Sequence, residues 1–361
     1  MSRGYNFSAG PAALPTEVLQ RIGEELPEWG DTGASVMEIS HRSAAFIALA
    51  EEAERDLRDL LAVPPNYRVL FLSGGATQHF AQLPMNLAAP GQAADYVLSG
   101  HWGEKAFAQA RHHCTARVAA SSAEAGFVRI PPRSEWQLDA SAAYVHFTSN
   151  ETIHGVQFHD VPEVGDVPLV ADMSSDILSR PLDVSRFGVI YASAQKNIGA
   201  SGLSLMIVRE DLLARCPETI APIFRYAAFA DSGSMPNTPN TFGWYVAALV
   251  FKWLQRQGGL VAMAERNAAK AALLYEVIDA SDGWYRNPVE PASRSLMNVP
   301  FTLHDAALDG TFLAEAKAAG LLALKGHRAV GGMRASIYNA MPLEGVAALV
   351  DFMRDFARRH G

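Results

Sequence analysis

Between residues 67 and 208 the chain alternates short apolar runs with helical stretches, and this alternation restricts the fold more than any other feature. Seven runs read as strands: Tyr67–Leu72, Tyr96–Leu98, Arg117–Ala120, Tyr144–Thr148, Leu169–Ala171, Val189–Ala192 and Leu203–Val208. Helical patterns such as Gln78–Ala88 and Glu104–Cys114 lie between several of them. The runs are rich in Val, Leu, Ile and Tyr, as expected of strands covered on both faces. The pattern predicts an α/β fold built on a mostly parallel, doubly wound sheet of seven strands.

The flanks read differently. Pro15 starts an amphipathic helix over Thr16–Trp29, and Ser43 is a fitting N-cap for a second helix running to Ala62. That helix carries Phe46, Leu49, Ala53, Leu57 and Leu60 on one face and Glu51, Glu52, Arg55 and Arg58 on the other. After Pro239 two long helical stretches follow, Thr241–Arg256 and Leu260–Ala280. A smaller α+β unit closes the chain: a Met297–Leu303 strand, a Thr311–Ala319 helix, a Met333–Tyr338 strand and a Pro342–Arg358 helix. Two domains are expected, a large one over 16–255 and a small one over 256–361 joined by residues 1–15.

Several function classes are excluded early. The formal charge is −8 and no basic run exceeds Arg358-Arg359, which is no footprint for nucleic acid. No apolar stretch reaches the ~18 residues of a membrane helix, and the opening MSRGYNFSAGP has no apolar core of a signal peptide. Cys114 and Cys216 stand alone, which suits a reducing cytoplasm and gives no thiolate metal site. No metal is expected. Neither a G-x-G-x-x-G turn nor a Walker A loop occurs.

In open α/β sheets ligands bind beyond the carboxyl ends of strands, so polar residues directly after an apolar run matter most. Ser73-Gly74-Gly75-Ala76-Thr77-Gln78 follows one such run. Its glycines and the helix start behind them suit a phosphate, although a tight turn with no ligand reads the same way. Asp172 ends VPLVAD, where a buried carboxylate needs a partner; taken alone, such a residue more often caps the helix behind it. Lys196 follows VIYASAQ, and burial there would lower its pKa and make the amine a nucleophile. Trp102 opens a helix where an indole can stack on a planar ligand or pack in the core. His41-Arg42, His327-Arg328 and Arg334 supply forks for carboxylate or phosphate. Only six of the 30 basic residues are lysines, which sharpens the case for Lys196, although 59 alanines beside 24 arginines point to codon bias as the main cause.

A phosphate cup, a stacking aromatic, a strand-end Asp and a strand-end Lys together fit pyridoxal phosphate. The Lys would hold its aldehyde as a Schiff base and the Asp would keep its ring nitrogen protonated.

The segments FSAGPAALP (7–15), SVMEISHR (35–42), SNETIHGV (149–156), ADMSSDILSRP (171–181), SAQKNIGASGL (193–203), GSMPNTPNTF (233–242) and ALKGHRAVGGMRASIYNAMPLEGV (323–346) carry a resemblance. Through them the chain resembles the phosphoserine aminotransferase family, in the class V group of fold-type I pyridoxal-phosphate enzymes. The resemblance implies Lys196 as the Schiff-base lysine, Asp172 on the ring nitrogen, Trp102 stacked on the ring and Thr152 on its hydroxyl. It implies Ala76, Thr77 and Gln195 at the cofactor phosphate, with Asn237 and Thr238 reaching the other subunit's cofactor in a homodimer. Arg334 would clamp the substrate α-carboxylate, and His41, Arg42, His327 and Arg328 would surround the distal phosphate or carboxylate. Two positions depart from some members: Ala9 stands where a second Ser occurs, and Thr77 where an arginine occurs. The implied reaction passes the amino group of glutamate to 3-phosphohydroxypyruvate, and also to the phosphorylated precursor of 4-phosphohydroxy-L-threonine. Cysteine desulfuration is disfavoured because neither cysteine lies in a Gly-rich loop, and glyoxylate has no use for two His-Arg pairs.

Overall fold

The computed structural model describes residues 3–361. Seven strands form the central sheet: β1 (Tyr67–Ser73), β2 (Ala93–Leu98), β3 (Thr115–Ser121), β4 (Val145–Thr148), β5 (Leu169–Asp172), β6 (Val189–Ser193) and β7 (Leu203–Arg209). Their spatial order is β1-β7-β6-β5-β4-β2-β3. Every neighbouring pair is parallel except those of β7, which runs antiparallel to both β1 and β6. The expected mostly parallel, doubly wound sheet is therefore present. β4, β5 and β6 are buried along their whole length, which is why their sequences read as continuous apolar runs.

Side chains of β1 alternate between the two faces, as pleating requires. Val69 and Phe71 join the core under helices 44–61 and 241–256, with Phe46, Leu57, Trp244 and Phe251. Leu70 and Leu72 join the opposite core under helices 76–87 and 101–110, with Phe80, Leu83 and Ala106. A third core belongs to the C-terminal part. There the antiparallel strands Tyr285–Arg286, Asn298–Leu303 and Met333–Ser336 pack on helices 259–279, 309–318 and 343–360 through Leu274, Phe301, Phe312 and Leu349. Tyr5–Asn6 pairs in parallel with Leu321–Leu322, and Phe7 is buried in the same third core.

Helix ends shift from the sequence expectation for local reasons. The first helix stops at Glu25 rather than Trp29: Leu26 keeps helical dihedrals, but Pro27 has no N–H with which to continue the helical ladder. The glycine-turn helix starts at Ala76, two residues earlier than expected, and continues through Pro84 to Leu87. The next starts at His101, three residues early, which puts Trp102 in its first turn.

The chain runs outward from β2 to β3 and then returns to lay β4 on the other side of β2. Such a reversal opens a crevice at the carboxyl ends of the strands. Among the described residues no helix is long and apolar enough to cross a membrane, and no group of three His, Cys, Asp or Glu could hold a metal ion.

Candidate active site

A cavity of about 280 Å³ opens at that crevice, near the low end of the ~300–1,000 Å³ usual for small-molecule sites. Of the residues predicted from sequence, Ala76, Thr77, Trp102, Thr152, Asp172, Gln195, Lys196, His327 and Arg334 all line it. Five do not. His41 and Arg42 lie in the turn before helix 44–61, Arg328 is exposed beside His327, and Asn237 and Thr238 are exposed in the segment before helix 241–256.

Asp172 is the last residue of β5 and is buried. Its Oδ1 accepts the N–H of Ser174 at 2.9 Å, which holds the carboxylate at the cavity floor. Burial raises its pKa, opposed by the Ser174 hydrogen bonds and by the positive charge of Lys196. Lys196 lies in the return between β6 and β7, a segment whose ends are joined by the Ala194 N–H to Leu203 carbonyl bond at 2.9 Å. Its Nζ donates to Thr152 Oγ1 at 2.8 Å. Burial lowers the amine to about 8, with Asp172 pulling upward and Arg334 pushing further down. An appreciable fraction is then the neutral, nucleophilic amine near neutral pH.

Thr152 also accepts, through its backbone carbonyl, the Arg334 Nη1–H at 3.3 Å. One residue thus touches both the amine and the guanidinium. Burial lowers the Arg334 pKa, but the group stays a cation at any ordinary pH. At the turn after β1 the Ala76 N–H donates to Ser193 Oγ at 2.7 Å, so the strand that leads into the lysine segment also anchors the glycine turn. Trp102 is half-buried against the cavity and its indole Nε1 is buried without a hydrogen-bond partner. The His327 ring lies 5.9 Å from that of His101, and burial together with the charges of Arg334 and Arg328 keeps His327 below the usual imidazole range.

Sequence reasoning missed Glu151, and with it His101 and His154. Glu151 is 0% exposed and accepts the N–H groups of Trp102 at 3.0 Å and Gly103 at 2.7 Å. Burial pushes its carboxyl up to about 7 in spite of those two bonds. The signal was available: Ser149-Asn150-Glu151 directly follows the apolar run of β4, the same strand-end position that marked Asp172 and Lys196.

The donor set suits a planar phosphorylated aldehyde. A half-buried amine, a buried carboxylate, an indole face and a glycine turn at a helix N-terminus surround one cavity. Thr148 Oγ1, which also lines it, is buried without a partner. Residues 4–349 match the class-V aminotransferase family. A phosphoserine aminotransferase of Stenotrophomonas maltophilia (strain K279a) is 59% identical over all 361 residues, covering 100% of both chains. The solved phosphoserine aminotransferase of Bacillus circulans subsp. alkalophilus superposes with a TM-score of 0.98 at 48% identity, covering 99% of each chain. A phosphoserine aminotransferase from Trichomonas vaginalis, solved with pyridoxal phosphate bound, gives 0.92 at 41% identity over 98% of this chain and 100% of that one. The chain belongs to the class-V aminotransferase family, and transamination is the reaction its active site serves.

Proposed function

We propose that the chain transfers the amino group of L-glutamate reversibly to 3-phosphohydroxypyruvate, giving 2-oxoglutarate and O-phospho-L-serine, with pyridoxal 5′-phosphate as cofactor. The observation that carries this reading is that Thr152 holds both Lys196 and Arg334 at one cavity. The nucleophile and the fork for an α-carboxylate are thereby set side by side. Relatives named phosphoserine aminotransferase, at 59% and 48% identity over essentially the whole chain, supply the substrate class.

The cofactor would be held by Lys196 at its aldehyde, Asp172 at its ring nitrogen, Trp102 on its face and Thr152 at its ring hydroxyl. Ala76, Thr77 and Gln195 would hold its phosphate. Asn237 and Thr238 are exposed; they would reach that phosphate from a second copy of the chain, so the working unit is a homodimer. When bound, pyridoxal phosphate supplies the carbonyl that takes up the amino group and the ring that draws electrons from the substrate α-carbon.

The remaining steps belong to the protein. Arg334 binds the substrate α-carboxylate as a bidentate fork. Lys196 Nζ, neutral once displaced, takes the α-proton as general base and returns it as general acid. His327, with Arg328, His41 and Arg42, binds the distal group, which is a carboxylate in glutamate and a phosphate in the ketone. The ketone that precedes 4-phosphohydroxy-L-threonine carries the same two ends, so the same groups would take it. Nothing in this chemistry needs a metal, a nucleic acid or a membrane, and the reaction suits the cytoplasm. A large unit over 16–255 and a small one over 256–361 with residues 1–15 would close on the substrate. The separate third core and the pairing of Tyr5–Asn6 with Leu321–Leu322 support that division.

The purified holoenzyme should be yellow, lose its colour with glutamate and regain it with 3-phosphohydroxypyruvate, and Lys196→Ala should abolish the cycle. A spectrum indifferent to glutamate overturns the proposal.

A further inference from the structure

We infer that Glu151 is a positioning residue that fixes Trp102 relative to Lys196 by capping the helix on which Trp102 stands. The inference rests on the reading of the cavity as the cofactor site.

The first amides of a helix have no partner within it, and a Ser, Thr, Asp or Asn just before the helix usually supplies one. Helix 101–110 begins on Gly100, which has no side chain to offer. Its first turn is answered instead by a short hairpin, Asn150–Glu151 paired with Val156–Gln157. Glu151 takes the N–H groups of Trp102 and Gly103, and His154 Nδ1 takes that of His101 at 3.4 Å. The cap comes from 49 residues away.

The carboxylate sits in a cradle shaped for it. A Cβ at Gly100 would lie 2.5 Å from Glu151 Cδ and 2.7 Å from Oε2, so any side chain there would displace the cap. A carboxylate with no exposure is tolerable only where amides and the positive end of a helix dipole receive it. The next residue is Thr152, which accepts from Lys196 and Arg334. Two consecutive residues of one hairpin therefore hold the indole's helix and the reactive amine. A single peptide unit joins the two holding residues.

Glu151→Ala should show three effects. In cofactor-free protein, hydrogen exchange of the Trp102 and Gly103 amides should accelerate about tenfold. Cofactor dissociation should rise and kcat fall about 10- to 100-fold, with KM for glutamate changed less than about threefold. Glu151→Gln keeps one acceptor oxygen and should recover most of the kcat. Should Glu151→Ala fail to fold, Gly100→Ala leaves the carboxylate in the chain but expels it from its cradle, and should give the same kcat loss. Wild-type exchange and kcat in Glu151→Ala or Gly100→Ala would overturn the inference, as would equal losses in the Ala and Gln variants. A wild-type holoenzyme that ignores glutamate would instead sink the reading of the cavity itself.

Discussion

The backbone N–H of Asn339 donates to the Asn197 side-chain oxygen at 3.0 Å, tying the segment beyond the Arg334 strand to the neighbour of Lys196. Asn197 Nδ2 in turn donates to the Ile177 carbonyl at 3.0 Å, and Asn339 Nδ2 to that of Leu178 at 2.8 Å. Asn267 Nδ2 adds bonds to Asn339 Oδ1 at 2.8 Å and to the Ser179 carbonyl at 3.0 Å. Three buried asparagines thus join the sheet core to the C-terminal part, close to the reacting amine. Asn197→Ala and Asn339→Ala should each cost about 1–3 kcal/mol, because each strands buried polar groups. The double variant should cost less than the two together, with a coupling of about 0.5–3 kcal/mol by urea unfolding. Strict additivity would mean that the two side chains do not act as one joint.

The amine of Lys196, lowered to about 8, is protonated below that pH and neutral above it. Covalent capture of an aldehyde by cofactor-free protein should therefore speed up about tenfold per pH unit below that value and level off above it. Arg334→Met removes a charge that depresses the amine and should move the profile to higher pH. Asp172→Asn removes one that raises it and should move the profile lower. Stopped-flow absorbance between about pH 6 and 9 reads both, and a flat profile would contradict the assignment.

Arg334 and the outer arginines should separate by substrate. Arg334→Ala should weaken every substrate, since all share the α-carboxylate, by about 2–4 kcal/mol in kcat/KM for a lost charged hydrogen-bond pair. Arg42→Ala and Arg328→Ala should weaken phosphorylated substrates far more than alanine. Equal losses on both would mean that these arginines do not form a phosphate cluster.

Lys270 is buried, and its work is structural. Its Nζ donates to the carbonyls of Ile337 at 2.9 Å, Tyr338 at 2.8 Å and Met341 at 3.1 Å. Lys270→Met keeps the volume but leaves three buried carbonyls unanswered, and should lower the unfolding free energy by about 2–4 kcal/mol. Urea denaturation of the cofactor-free protein measures it. Loss of the colour change without loss of stability would point to a different role.

Strand positions were legible because β4 to β6 are buried on both faces, which leaves an uninterrupted apolar signature. Helix ends were less so: the stop before Pro27 had a readable cause in its missing N–H, whereas the first-turn amide of Trp102 in the helix from His101 is received by Glu151, far away in sequence. Asp172, Lys196 and Trp102 were found by one topological rule, that ligands meet strand ends. Glu151 satisfied that rule too, but a two-residue strand has no periodicity and a cap 49 residues away leaves no local pattern. The pairing of Tyr5–Asn6 with Leu321–Leu322 was hidden for the same reason. His41, Arg42, Asn237, Thr238 and Arg328 stand outside the cavity of one chain, which their spacing in the sequence could not reveal.

β7 runs against its neighbours, and this has a mechanical result for the lysine. A parallel successor to β6 would need a crossover of a dozen residues or more, and the amine would ride on a movable helix. Here nine residues, 194–202, bring the chain straight back, clamped to the sheet at both ends. The backbone under Lys196 is tied at both ends, so the reach of the amine comes from rotation about its four-carbon stem.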